Sequence, residues 1–161
     1  MTQAHVSEGA LALRVLVGFG LAYVLGFERE LRGSAAGQRT FALVGAASTC
    51  VAVVTISAPQ VLAGIITGVG FIGGGVILHN QGAPSPTGSV IGITTAATIF
   101  AAAGNGVVIG TGHQLLGLMV AGLVLLVLEL PHIRLLSFLD ARRYAGRFRP
   151  DRGARADQPH P

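Results

Sequence analysis

The chain has 161 residues, 51% hydrophobic and only 11% charged, with a mean hydropathy of +0.66 and a formal net charge of +4. Its 11 basic and seven acidic side chains all lie in residues 1–39 and 129–161, so the 89 residues from Thr40 to Leu128 carry no Asp, Glu, Lys or Arg. Soluble domains carry about 25% charged residues; this composition excludes one and points to a hydrocarbon solvent, where a central charge costs roughly 2.5–3.5 kcal/mol.

A transmembrane helix needs about 20 mainly apolar residues, and turn-forming clusters divide the apolar block. Pro59-Gln60, the stretch His79–Gly88 and Gly110–Gln114 are the breaks. They leave spans near 9–27, 41–57, 61–78, 90–109 and 115–130, which predicts an all-α, five-helix membrane domain over residues 1–131. Charge supplies an independent test. The first loop carries Arg29, Arg32 and Arg39, and seven of the 11 arginines lie in the last 28 residues. Five spans put both clusters on one side, and the positive-inside rule makes that side cytoplasmic, with the N-terminus outside. Residues 132–149 read as a basic amphipathic segment on anionic lipid. Residues 150–161, with no apolar side chain larger than Ala or Pro, read as a disordered tail.

In chain order, the first polar group inside a span is Arg14, close enough to the outer end to snorkel, although an intramembrane charge is a functional hypothesis by default. The loop from Gly26 to Thr40 is the densest polar cluster near the bilayer. Its arginines explain topology; Glu28 and Glu30 do not, and their alternation with Arg29 and Arg32 suggests a paired network, with Glu129 as a further member. The third span contains Gly68-Val69-Gly70-Phe71-Ile72-Gly73, a letter-for-letter G-x-G-x-x-G. It lacks the preceding strand and the acidic residue about 20 positions on that a dinucleotide site needs. Glycines in membrane spans let helix backbones approach closely, so Gly64, Gly68, Gly70, Gly73, Gly75 and Gly92 are expected at helix contacts. Spacings of four also join Gly18 to Gly26 through Ala22, and Gly106 to Gly110. The fourth span opens with Thr94, Thr95 and Thr98, followed by Asn105. These hydroxyls either bond back to their own helix or line a polar seam with Asn105, Thr94 and Thr98 sharing a face.

Three of these segments together resemble the MgtC/SapB family of bacterial inner-membrane proteins. They are Gly26-Phe27-Glu28-Arg29-Glu30 leading to Ala36-Gly37-Gln38-Arg39-Thr40, the run from Gly68 to Ile77, and Gly92-Ile93-Thr94-Thr95-Ala96-Ala97-Thr98. The resemblance covers about residues 10–130 and implies a multi-pass inner-membrane protein linked to growth under magnesium limitation and, in pathogens, to virulence. It also implies regulation of other membrane proteins, including the F-type ATP synthase, rather than established magnesium transport. Glu28, Arg29, Arg39, Gly70, Gly73, Gly75, Thr94 and Thr95 stand at signature positions. The chain departs from the pattern at Ile91, where Arg is usual, at Gly64, where Gln is common, and at Phe100, where Trp is common. Longer members also carry a soluble C-terminal domain, which the 31 residues after Leu130 do not supply.

The functional expectation is a non-enzymatic regulator or adaptor. No metal-ligand spacing, P-loop or G-x-S-x-G occurs, so neither a catalytic set nor a metal or other cofactor is expected. Expected partners are lipid and other membrane proteins, with a homo-oligomer open and nucleic acid not expected. The alternative is a small channel or transporter for Mg²⁺ or another cation, using the polar face of the fourth span.

Overall fold

The computed structural model describes residues 6–55, 58–80 and 92–130. Among these, the secondary structure is entirely helical: α1 (Glu8–Leu31), α2 (Gln38–Val54), α3 (Pro59–Asn80), α4 (Ile93–Gly110) and α5 (Gln114–Glu129). Residues 1–125 form one compact unit, and the second unit, 126–161, contributes only 126–130, the end of α5. The expected basic segment, the tail and most of the turn between the third and fourth spans, including Ile91, fall outside the described residues.

Three helices, α1, α3 and α4, are long and apolar enough to cross a membrane. α2 and α5 are also apolar but have 17 and 16 residues. At 1.5 Å per residue they run about 25 Å, somewhat short of a hydrocarbon core of roughly 30 Å.

Local signals explain where the helices begin and end. Ser7 caps α1, its hydroxyl accepting a hydrogen bond from the Ala10 N–H at 3.3 Å. Glu8 in the first turn and Arg29 in the last complement the helix dipole. The far ends of α1 and α4 close in the same way. Gly33 (φ 66°) and Gly112 (φ 98°) adopt the left-handed conformation just past each helix. The following N–H groups, of Ser34 and His113, then reach back to the carbonyls of Arg29 and Val108 at 3.0 and 3.1 Å. Both are Schellman closures, in which glycine avoids the Cβ clash of positive φ.

α4 is the centre of the bundle, with 56% of its apolar window buried against 11% for α3. Helices α1 and α2 pack along each other and both pack on α4, while α3 leans mainly on α4. Leu25, Phe41, Ile99 and Ala103, all fully buried, form the heart of this core. Outward-facing positions such as Leu16, Leu43, Phe71, Leu115 and Met119 are exposed and apolar, the inverse of a soluble surface.

The close approaches fall on a different set of glycines from those expected. A Cβ on Gly18 would strike Thr49, one on Gly45 would strike Ala22 and the Gly18 carbonyl, and one on Gly106 would sit 2.9 Å from the Gly45 carbonyl. Gly110 and Gly117 are equally confined, against Ala52 and Ile109. By contrast, a Cβ at Gly64, Gly68, Gly70 or Gly75 would meet nothing within 4 Å. The expectation that these four lie at helix contacts is therefore not met among the described residues. The reason is rotational: α3 turns Ile65, Val69, Gly73 and Val76 towards the core, leaving its other glycines facing outward. Gly73 does touch a neighbour, its Cβ position lying 3.4 Å from that of Ala96. Gly92 serves instead as the N-cap of α4, at φ 96°.

Candidate functional site

Two polar regions stand out against this apolar frame, a charged corner where α1 meets α2 and a row of buried polar side chains along α2 and α4. The corner is built by the Schellman turn. Because the chain folds back at Gly33, the first residues of α2 return alongside the last turn of α1.

Glu28 is the centre of the corner and is buried, with 8% of its surface exposed. Its Oε1 receives Arg32 Nε at 3.4 Å, one helical turn on, and its Oε2 lies 3.5 Å from Arg29 Nη1. Arg29 is held in turn by Ser34, whose hydroxyl accepts from Nη2. The packing leaves Glu28 Oε2 and Arg29 Nε without a hydrogen-bond partner. Burying a carboxylate this deep is costly unless cations lie beside it, and Arg29 and Arg32 lie there.

Glu30 has a different task. Its Oε2 accepts a hydrogen bond from the backbone N–H of Gln38, the first residue of α2, at 2.9 Å. The N-cap of α2 is Gly37, which has no side chain to do this. Glu30 thus caps the next helix from across the turn, and a Cβ on Gly37 would collide with its carboxylate. Arg39, one residue further, is exposed. Among the described residues, the corner presents Arg39 and the outer edge of Arg32 to the surroundings, with both carboxylates already engaged.

Along the helices, Ser48 and Thr49 of α2 and Thr95, Thr98 and Asn105 of α4 are all buried, whereas Thr94 is exposed. Thr94 and Thr98 are therefore not on one buried face. The Thr98 hydroxyl donates to the Thr94 carbonyl at 2.7 Å and that of Thr49 to the Gly45 carbonyl at 2.8 Å. Thr55, Thr67 and Thr111 bond back to their own helices in the same way. Back-bonding satisfies a hydroxyl locally and takes it out of any polar path. Asn105 is the exception. It is 4% exposed, and its Oδ1 has no hydrogen-bond partner among the described residues, a deficit worth about 1–3 kcal/mol.

Two features were not readable in advance. Arg14 does not simply snorkel: its Nη1 donates to the Gly110 carbonyl at 3.1 Å, adding a side-chain cap to the C-terminus of α4. Gln38 stands in the first motif, but its partnership with Glu30 depends on the turn at Gly33, which the sequence alone does not show. Among the described residues, no three His, Cys, Asp or Glu side chains gather as a metal site.

Comparison with known proteins follows the same segments. The sequence model of the MgtC family matches residues 15–133. The protein named "Putative magnesium transporter YhiD" from Escherichia coli K12 is 36% identical over 123 residues, covering 67% of this chain and 54% of that protein. Protein SrpB of Synechococcus elongatus is 36% identical over 133 residues, covering 74% and 73% of the two chains. Protein MgtC of Salmonella typhimurium is 39% identical over 106 residues, covering 63% and 43%. The chain thus spans about half the length of YhiD, and less of MgtC. No solved structure matches.

Proposed function

Because the chain belongs to the MgtC family, we propose that it is a non-enzymatic membrane regulator that acts on other membrane proteins during magnesium limitation or related ionic stress. In this reading all five helices cross the bacterial inner membrane, and the corner between α1 and α2 faces the cytoplasm with the C-terminus. The observation that carries the reading is the state of the corner. Glu28 is neutralised by Arg29 and Arg32, and Glu30 caps α2. Carboxylates tied down in this way build a rigid surface, and the groups they leave outward are Arg39 and the outer edge of Arg32. Such a surface suits recognition of a partner's acidic groups better than passage of a cation. An F-type ATP synthase is one candidate partner, and virulence in a pathogenic host setting is one candidate consequence; both rest on family resemblance.

A second reading, a small cation transporter, has one structural observation in its favour, the unpartnered Asn105 in the central helix. The name of the YhiD relative points the same way for that protein. The two readings separate in a single preparation. Folded protein in liposomes should pass no more Mg²⁺, K⁺ or H⁺ than empty liposomes. A pull-down from membranes in mild detergent should recover a partner that Arg39→Ala releases. Flux abolished by Asn105→Leu, with no partner recovered, would replace the first reading by the second.

A further inference from the structure

The unpartnered carboxamide of Asn105 lies at a seam. Its Oδ1 is 3.2 Å from where a Cβ on Gly117 of α5 would be, and the same position would clash with Ile109 at 2.5 Å. The contact between α4 and α5 is therefore tight at Gly117, and beside it lies a buried acceptor with no hydrogen-bond partner among the described residues. The buried Thr98 and Thr49 hydroxyls donate to backbone carbonyls instead.

The construction of α4 and α5 bears on how this conflict is relieved. The carbonyls at the end of α4 are closed without α5: Val108 by His113, Ile109 by the Gly112 N–H and Gly110 by Arg14. Only Thr111, Gly112 and His113 connect the two helices, and Gly112 sits at φ 98°. Up to Leu125, α5 turns Gly117, Ala121, Val124 and Leu125 inward, while Leu115, Leu116, Leu118, Met119 and Leu123 are exposed. α5 can therefore move away from α4 without unfastening α4's end, and its movement lets the carboxamide acquire hydrogen bonds.

We propose that the α4–α5 seam opens, and that Asn105 is the site at which water enters. The ligand is water, a small molecule able both to donate to Oδ1 and to accept from the amide. The molecule thereby has a second, hydrated state in its central layer, reached by displacing α5. This inference stands on the seam alone and is independent of whether the protein regulates or transports.

The test is thiol labelling. Cys50 is exposed and is removed by Cys50→Ser. Ala121, 3% exposed on the inner face of α5, becomes the reporter as Ala121→Cys. A membrane-impermeant, water-soluble maleimide added to the full chain in lipid nanodiscs should label this thiol slowly but measurably. Asn105→Leu and Asn105→Ala both remove the orphaned acceptor and so favour the closed seam. Each should slow labelling by about 10-fold or more, equivalent to about 1.4 kcal/mol. If Ala121→Cys fails to give a monodisperse helical protein, Val124→Cys takes its place. Labelling unchanged by either substitution, or a thiol that never reacts while the protein remains folded, would overturn the proposal.

Discussion

Glu30, in the last turn of α1, accepts a hydrogen bond from the N–H of Gln38, the first residue of α2, at 2.9 Å. The partners are eight residues apart and belong to different helices, so the bond fixes the angle at which the chain re-enters the bundle. Loss of a helix cap costs about 0.5–2 kcal/mol. Glu30→Ala should lower stability by about 1 kcal/mol in detergent unfolding, and Glu30→Gln, which keeps an acceptor oxygen, should lower it less. Equal losses would mean that charge rather than the hydrogen bond matters.

The neighbouring Glu28 should behave quite differently. Breaking a buried ion pair from one side costs roughly 3–5 kcal/mol because the other charge is left uncompensated. Glu28→Gln should therefore destabilise by about 3 kcal/mol, chiefly through the enclosed Arg29. Arg32→Ala should cost well under 1 kcal/mol, since its side chain is 35% exposed and solvent screens the pair. Unfolding curves of the two variants, read side by side, check the ordering.

The glycines divide by face, and substitution should reveal it. Gly45→Ala places a Cβ against Ala22 and 2.8 Å from the Gly18 carbonyl. Overpacking of this kind costs about 1–3 kcal/mol. Gly68→Ala meets nothing within 4 Å, so helix propensity alone should stabilise α3 by up to about 1 kcal/mol. Thermal unfolding in detergent would register the opposite signs. A destabilised Gly68→Ala would show that α3's outer face is occupied by something other than lipid.

Arg14 and Gly110 are 96 positions apart in the chain and 3.1 Å apart in space. Arg14→Met keeps the apolar stem and removes the donors, leaving a part-buried carbonyl short of its side-chain cap at about 1–3 kcal/mol. Arg14→Lys should recover part of the loss, because an ammonium can still serve the negative end of α4. Recovery equal to wild type would indicate charge alone; none would indicate that the reach of the guanidinium matters.

The pattern of charges made the helical membrane character legible, because a span's solvent is written in its composition. Pairing of Glu28 with arginines was likewise readable from a helix end where acidic and basic groups alternate. The use of Glu30 was not, since it depends on a turn that brings residue 38 back beside residue 30. Nor was the choice of packing glycines. Spacing of four occurs in Gly64 and Gly68 as it does in Gly106 and Gly110, and only the rotation of α3 about its axis separates the two cases. The threonines of α4 share a motif, but Thr94 is exposed while Thr95 and Thr98 are buried, and the Thr98 hydroxyl goes to the backbone. Asn105 differs because its Oδ1 is an acceptor, which no helix carbonyl can satisfy.

The outward rotation of α3 carries a mechanical consequence. Among the described helices, this 22-residue helix packs on α4 with slight contact to α2, whereas α1, α2 and α4 brace one another. A helix tilts to match the hydrocarbon thickness around it at a cost of fractions of a kcal/mol per Å of mismatch. α3 can yield in this way by pivoting on a single seam, while the braced helices must move together. In the proposed five-span arrangement, bilayer thickness therefore acts as a force applied at α3, and α4, the helix it leans on, is the first to feel it.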